Sequence, residues 1–202
     1  MPLSGGATDK FGNRYEGLWT VDCMIDVMDE EASSIRLEPP GEQGEGVEFW
    51  LNRNDLREYH QVKRQNTQGR WSISDLVNKQ ILANFYQKLH QSNSKCVFVS
   101  TDKAYQLDEL TDRVRRSQSW QEFQREFLSS QDLKQSFFKI AGQWSDYSDK
   151  EIEEAIAATQ AGKLSPNHLE IDRVAREVFE LLQRVYVETE SESRLRKTIL
   201  GL

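Results

Sequence analysis

At 202 residues, with 37% hydrophobic and 29% charged side chains, the chain has the make-up of a folded globular protein. Its length suits one domain, or a small α/β core followed by a helical extension. Five Trp and nine Phe exclude a disordered chain, the lack of any long apolar run excludes a membrane span readable from the sequence, and a net charge of −7 excludes a uniformly basic nucleic-acid binder.

The opening twenty residues hold no basic stretch followed by an apolar run, so no secretory leader is read there and a cytoplasmic protein is expected. Tyr15, Leu18, Val21, Cys23, Ile25 and Met28 recur at roughly helical spacing and predict a first helix ending near Glu30. Three short strands are predicted at 34–38, 46–52 and 57–63. They are separated by a Pro-Pro-Gly turn at 39–41 and an Asn-Arg-Asn-Asp turn at 52–55, as in an antiparallel meander.

Ser74 and Asp75 offer N-caps for an amphipathic helix carrying Leu76, Val77, Ile81, Leu82, Phe85 and Leu89. The nearly unbroken apolar run at 95–100 then predicts a strand buried on both faces, and a helix between two strands implies a parallel crossover. Residues 1–101 thus spell α-β-β-β-α-β with a mixed sheet. Residues 102–202 are expected as a helical extension packed on that core. Its helices are predicted at 107–116, 120–128, 133–141, 149–158 and 169–187, and the charged stretch 188–197 reads as linker. Cys23 and Cys96 lie far apart in apolar surroundings and read as small core residues.

Charge is unevenly spread. Residues 1–56 hold four basic and twelve acidic side chains, whereas 57–95 hold seven basic and two acidic. A phosphate-contacting surface is therefore expected to begin near Arg57, with Arg64, Lys79 and Lys88 as candidates to meet nucleic acid. Arg113, Arg115 and Arg116 lie close enough to Asp108, Glu109 and Asp112 for helical ion pairs. Trp120, Phe123, Phe127, Phe137 and Phe138 read as core.

The chemically informative stretch is Gly46-Val-Glu-Phe-Trp-Leu-Asn52 followed by Arg57-Glu-Tyr-His-Gln-Val-Lys-Arg-Gln65. Strand alternation sends Val47, Phe49 and Leu51 to one face and Glu48 and Trp50 to the other. Tyr59, Gln61 and Lys63 share a face, with His60 opposite, packed rather than acting as a base. A carboxylate, an amide and an ammonium therefore converge. Phosphodiester hydrolysis needs an oxygen-ligated divalent cation and a fixed positive charge for the developing oxyanion. Glu48 and Gln61 would hold Mg²⁺, or Mn²⁺. Lys63 would stabilise the transition state or help position the attacking water. Glu16 or Glu38 would add a further oxygen ligand.

Gln61-Val62-Lys63 resembles the QxK motif of the PD-(D/E)xK, restriction-endonuclease-like nuclease superfamily, in its Mrr-type branch. Gly5-Gly6, Tyr15-Glu16 and His60-Gln-Val-Lys63 are also similar to the nuclease effector domains of bacterial anti-phage defence proteins. The motif carboxylate ahead of QxK is usually Asp in that family, whereas Glu48 stands here, with Glu38 as a competitor. The resemblance spans roughly residues 5–100. It implies a metal-dependent DNA endonuclease of low sequence specificity, acting on double-stranded DNA and active as a homo-oligomer. Further NTPase or sensor domains on the same polypeptide, and no membrane, are implied with it. The alternative is a nuclease-fold module without catalysis that binds nucleic acid or a protein.

Overall fold

A computed structural model describes residues 5–39, 41, 45–64, 69–163 and 165–201, with side chains from Arg14 onward. Pro40 of the expected turn at 39–41, and Gln65, lie outside the described residues. The chain is α/β, with nine helices among the described residues and one mixed five-stranded sheet of order β1-β2-β3-β4-β5. No described helix is long and apolar enough to cross a membrane.

Helix α1 (Gly5–Met28) leads into β1 (Ser34–Leu37), β2 (Phe49–Arg53) and β3 (Leu56–Lys63), paired antiparallel in succession. The β2–β3 turn is tighter than the expected Asn-Arg-Asn-Asp. Arg53 pairs with Leu56, leaving only Asn54 and Asp55 as the loop, both at positive φ (50° and 63°). A two-residue hairpin of this kind needs left-handed backbone at both positions, which Asn and Asp tolerate better than other side chains. The turn fixes the register of every pair behind it.

The amphipathic stretch after β3 forms two helices, α2 (Ile73–Asn78) and α3 (Ile81–Leu89), rather than one. The cap is Ser72, two residues before the expected position. Its hydroxyl accepts the Asp75 N–H while the Asp75 carboxylate accepts the Ser72 N–H, a reciprocal capping box. Gln80 at φ 59° interrupts the helix between the two segments. Strand β4 (Ser94–Ser100) then pairs parallel with β3, Gln61 opposite Phe98 and Lys63 opposite Ser100.

Helices α4 (Tyr105–Arg116), α5 (Trp120–Glu126), α6 (Gln131–Gln143), α7 (Asp149–Gln160) and α8 (Pro166–Leu182) follow. Two expectations fail at the end of the chain. Residues 183–187 do not continue the last helix; β5 (Val185–Thr189) joins the sheet beside β4. Residues 192–200 are not linker but helix α9 (Glu192–Leu200), which packs on α1.

Contacts divide the chain into two compact units that no single cut near residue 101 reproduces. The first comprises Met1–Trp71, Gln87–Ala104 and Tyr186–Leu202. Its core on one sheet face joins Tyr15 and Cys23 of α1, Phe49 and Leu51 of β2, Val62 of β3, Val97 and Val99 of β4 and Leu195 of α9. Both cysteines are free and buried.

The second unit comprises Ser72–Tyr86 and Tyr105–Val185. Trp120, Phe123, Phe137 and Phe179 form its aromatic centre, with ring centroids 5.3–6.0 Å apart. Buried Asp172 accepts from Trp120 Nε1 and Gln124 Nε2 at 3.1 and 3.0 Å, so its carboxylate is not left unpaired.

Candidate active site

Period-two alternation divides β3 as the sequence predicts. Glu58, His60 and Val62 face α1, while Tyr59, Gln61 and Lys63 face the other way. Glu48 stands one residue ahead of β2, yet the ladder extends past the strand to hold it. Its N–H donates to His60 O at 3.0 Å, and its carbonyl accepts the Glu38 N–H at 3.1 Å. Glu38 sits at φ 41°, a conformation that costs a non-glycine residue about 1–2 kcal/mol.

Glu48 Oε1 accepts from Gln61 Nε2 at 2.7 Å and from Lys63 Nζ at 2.6 Å. The three side chains the alternation places together therefore meet at one carboxylate oxygen. Gln61 is buried, the Glu48 side chain is 21% exposed and that of Lys63 is 37% exposed. The cluster thus has a fixed inner end and a wet outer one.

Glu16, from α1, belongs to the same electrostatic neighbourhood. Burial raises its pKa first, Glu48 and then Glu38 raise it further, and Lys63 opposes them. Two further carboxylates thus act on Glu16, with Lys63 as the opposing cation, a situation that a divalent cation relieves. Among the described residues, no three His, Cys, Asp or Glu side chains are arranged to hold a metal ion. The donor set available here mixes carboxylates with an amide. Gln61 directs its amide nitrogen at Glu48, and a half-turn of that terminal group presents the carbonyl oxygen instead. This set of hard oxygens suits Mg²⁺ or Mn²⁺ rather than a soft metal.

No protein-family model, curated protein or solved structure matches this chain.

The residues expected to meet phosphate fare unevenly. Arg64 directly follows the cluster, with its Nε 3.4 Å from the Glu192 carboxylate on α9. Lys79 is exposed at the end of α2, in the second unit. Lys88 does not meet the expectation of a phosphate contact. It is 2% exposed, with its ammonium 5.8 Å from the Tyr59 ring centre. The helical period accounts for this, since positions 81, 85 and 88 lie on one buried stripe of α3. Arg113 and Arg116 sit in i,i+4 pairs with Glu109 and Asp112, and Arg115 donates to the Val185 carbonyl.

His60 is packed on the face away from Lys63. It stacks on Phe49 at 4.7 Å and 12°, and its Nδ1 accepts the Trp19 indole N–H at 3.1 Å. Beside it lies a cluster the sequence reading did not single out. Buried Glu58 faces Lys95 Nζ at 2.7 Å, Arg53 Nε at 3.3 Å and His60 Nε2 at 3.5 Å. Burial on its own pushes the Glu58 pKa up, but His60 and Lys95 outweigh it and bring the carboxyl down to about 2. The signal was present in the strand: Glu58 has the same parity as His60 and Val62, so a charge had to lie on the core side.

Proposed function

We propose that this protein is a metal-dependent DNA endonuclease, with Glu48, Gln61 and Lys63 at its centre. The observation that carries the reading is the convergence of Gln61 and Lys63 on one oxygen of Glu48, at a place solvent reaches. The pressure of Glu48 and Glu38 on the Glu16 carboxyl supports it. So does the element order, three antiparallel strands after a helix and then a helical crossover to a parallel strand, which fits a restriction-endonuclease-like core.

Glu48 and the Gln61 carbonyl would hold the cation, with Glu16, or else Glu38, as the further oxygen ligand. Mg²⁺ or Mn²⁺ would supply Lewis acidity to the scissile phosphate. Lys63 would place a positive charge where the phosphoryl oxygens gain negative charge, and before the cation binds, the buried Gln61 amide fixes the direction of the Glu48 carboxylate. No base-reading element is apparent among the described residues, so cleavage with little sequence preference is the corresponding expectation. A role as a defence effector, a double-stranded substrate and activation through self-association follow from the resemblance to anti-phage nucleases and extend the same proposal.

One observation favours a second reading. Glu48 Oε1 is already satisfied by two donors of the protein itself, and such a self-neutralised cluster also suits a nuclease-fold module that binds without cutting. Titration with Mn²⁺, followed by the paramagnetic signal of free ion, separates the two. The nuclease reading predicts saturable binding by wild type that weakens about tenfold or more in Glu48→Gln and in Glu16→Gln. Equal, weak binding by all three proteins supports the module.

A further inference from the structure

The second unit carries a cavity of about 230 Å³ that the proposed nuclease chemistry does not use. Three aromatic side chains, Tyr86, Trp144 and Tyr147, line it together with three carboxylates, Asp146, Glu170 and Glu177. No Lys or Arg is among the described residues that line it.

The walls are fixed by local structure. Trp144 ends α6, and its indole N–H donates to Leu82 O at 2.8 Å, holding the ring 5.6 Å from that of Tyr86 at a tilt of 31°. Ser145 Oγ donates to Ala141 O at 2.7 Å and accepts the Tyr147 N–H at 3.3 Å, which ties down the short link carrying Asp146. Glu170 and Glu177 lie seven residues apart on α8, two turns along one face. Burial raises the pKa of the Tyr86 hydroxyl, and Glu177 and Asp146 raise it further, so both carboxylates project their charge onto this ring.

Aromatic faces and carboxylates share one class of ligand. A phosphate or nucleic acid would meet three negative charges, and an uncharged apolar group would leave the carboxylates unused. An organic cation satisfies both kinds of wall. A guanidinium does so best, because it stacks flat on an aromatic ring while its N–H groups donate in plane to carboxylates. The volume lies below the ~300–1,000 Å³ of sites for drug-sized molecules, which suits the end of one side chain. We propose that this cavity receives an arginine side chain presented by a partner protein.

The test uses the whole chain, titrated with Nα-acetyl-arginine methylamide and followed by the ¹H–¹⁵N shifts of the Ser145, Asp146 and Tyr147 amides. Saturable shifts are expected with the arginine probe. Weaker binding is expected for the lysine analogue, and none for the uncharged isostere citrulline. The double variant Asp146→Asn, Glu177→Gln should bind the arginine probe about fivefold or more weakly. Both carboxylates are exposed, so the variant keeps its fold, and the same spectra verify this. Absence of saturable shifts, equal response to citrulline, lysine binding as tight as arginine, or undiminished binding by the variant would each overturn the proposal.

Discussion

Lys63→Ala is expected to slow DNA cleavage by about 10²- to 10³-fold while leaving the protein folded. Its side chain is 37% exposed and ends at the Glu48 carboxylate rather than in the core, so truncation opens no buried cavity. The loss should fall on kcat more than on KM, because the charge matters most when the phosphoryl oxygens become more negative. Lys63→Arg tests whether charge alone suffices. The bulkier fork cannot occupy the 2.6 Å contact in the same way, and partial recovery is expected. Unchanged cleavage by Lys63→Ala would remove Lys63 from the site.

The largest stability effect is expected on the opposite face of β3. Glu58→Ala leaves Arg53, Lys95 and His60 around a vacated position and should cost about 3–5 kcal/mol. The same carboxylate sets an acid limit. Its folded pKa of about 2 lies below the ordinary 4.5, so its contribution is complete above 4.5 and is lost as pH falls toward 2. For a carboxylate 4% exposed, that shift corresponds to roughly 3 kcal/mol. His60 acts in the same direction at higher pH. Burial is the main cause that holds its pKa below the ordinary 6.5, against the pull of Glu58, so unfolding is favoured as pH falls below 6.5. Urea midpoints measured from pH 8 to pH 2 should decline in two stages in wild type. Glu58→Ala should keep little of the lower one. A midpoint independent of pH below 4.5 would show that Glu58 is not held in its charged form.

The faces of β3 were legible because alternation is strict: Gln61 and Lys63 had to share one side and His60 the other. Which acid would meet them was harder, since that depends on register across the hairpin. The register came from a loop of only Asn54 and Asp55, one residue pair tighter than the four-residue turn expected. The break at Gln80 left no trace in the apolar pattern, which continues through it with neither Gly nor Pro. Helical spacing predicts Val185-Tyr186-Val187 as the end of the last helix, because Val185 keeps the stripe of Ile171, Val178 and Leu182. The alternating, β-branched character of those same residues signals a strand, and the sheet edge beside β4 takes them. Alternation puts Glu58 on the core side of β3 but carries no sign of what it meets there. Its neighbours Arg53, His60 and Lys95 come from β2, β3 and β4, and only the folded sheet brings them together.

The most direct measurement is cleavage of supercoiled plasmid by wild type and Glu48→Ala, with Mg²⁺ or Mn²⁺, at concentrations high enough to force self-association. The metal-site account predicts nicking and linearisation by wild type only, abolished by chelator and by Glu48→Ala. Cleavage equal in both proteins, or none by wild type with either metal at any concentration, would contradict it.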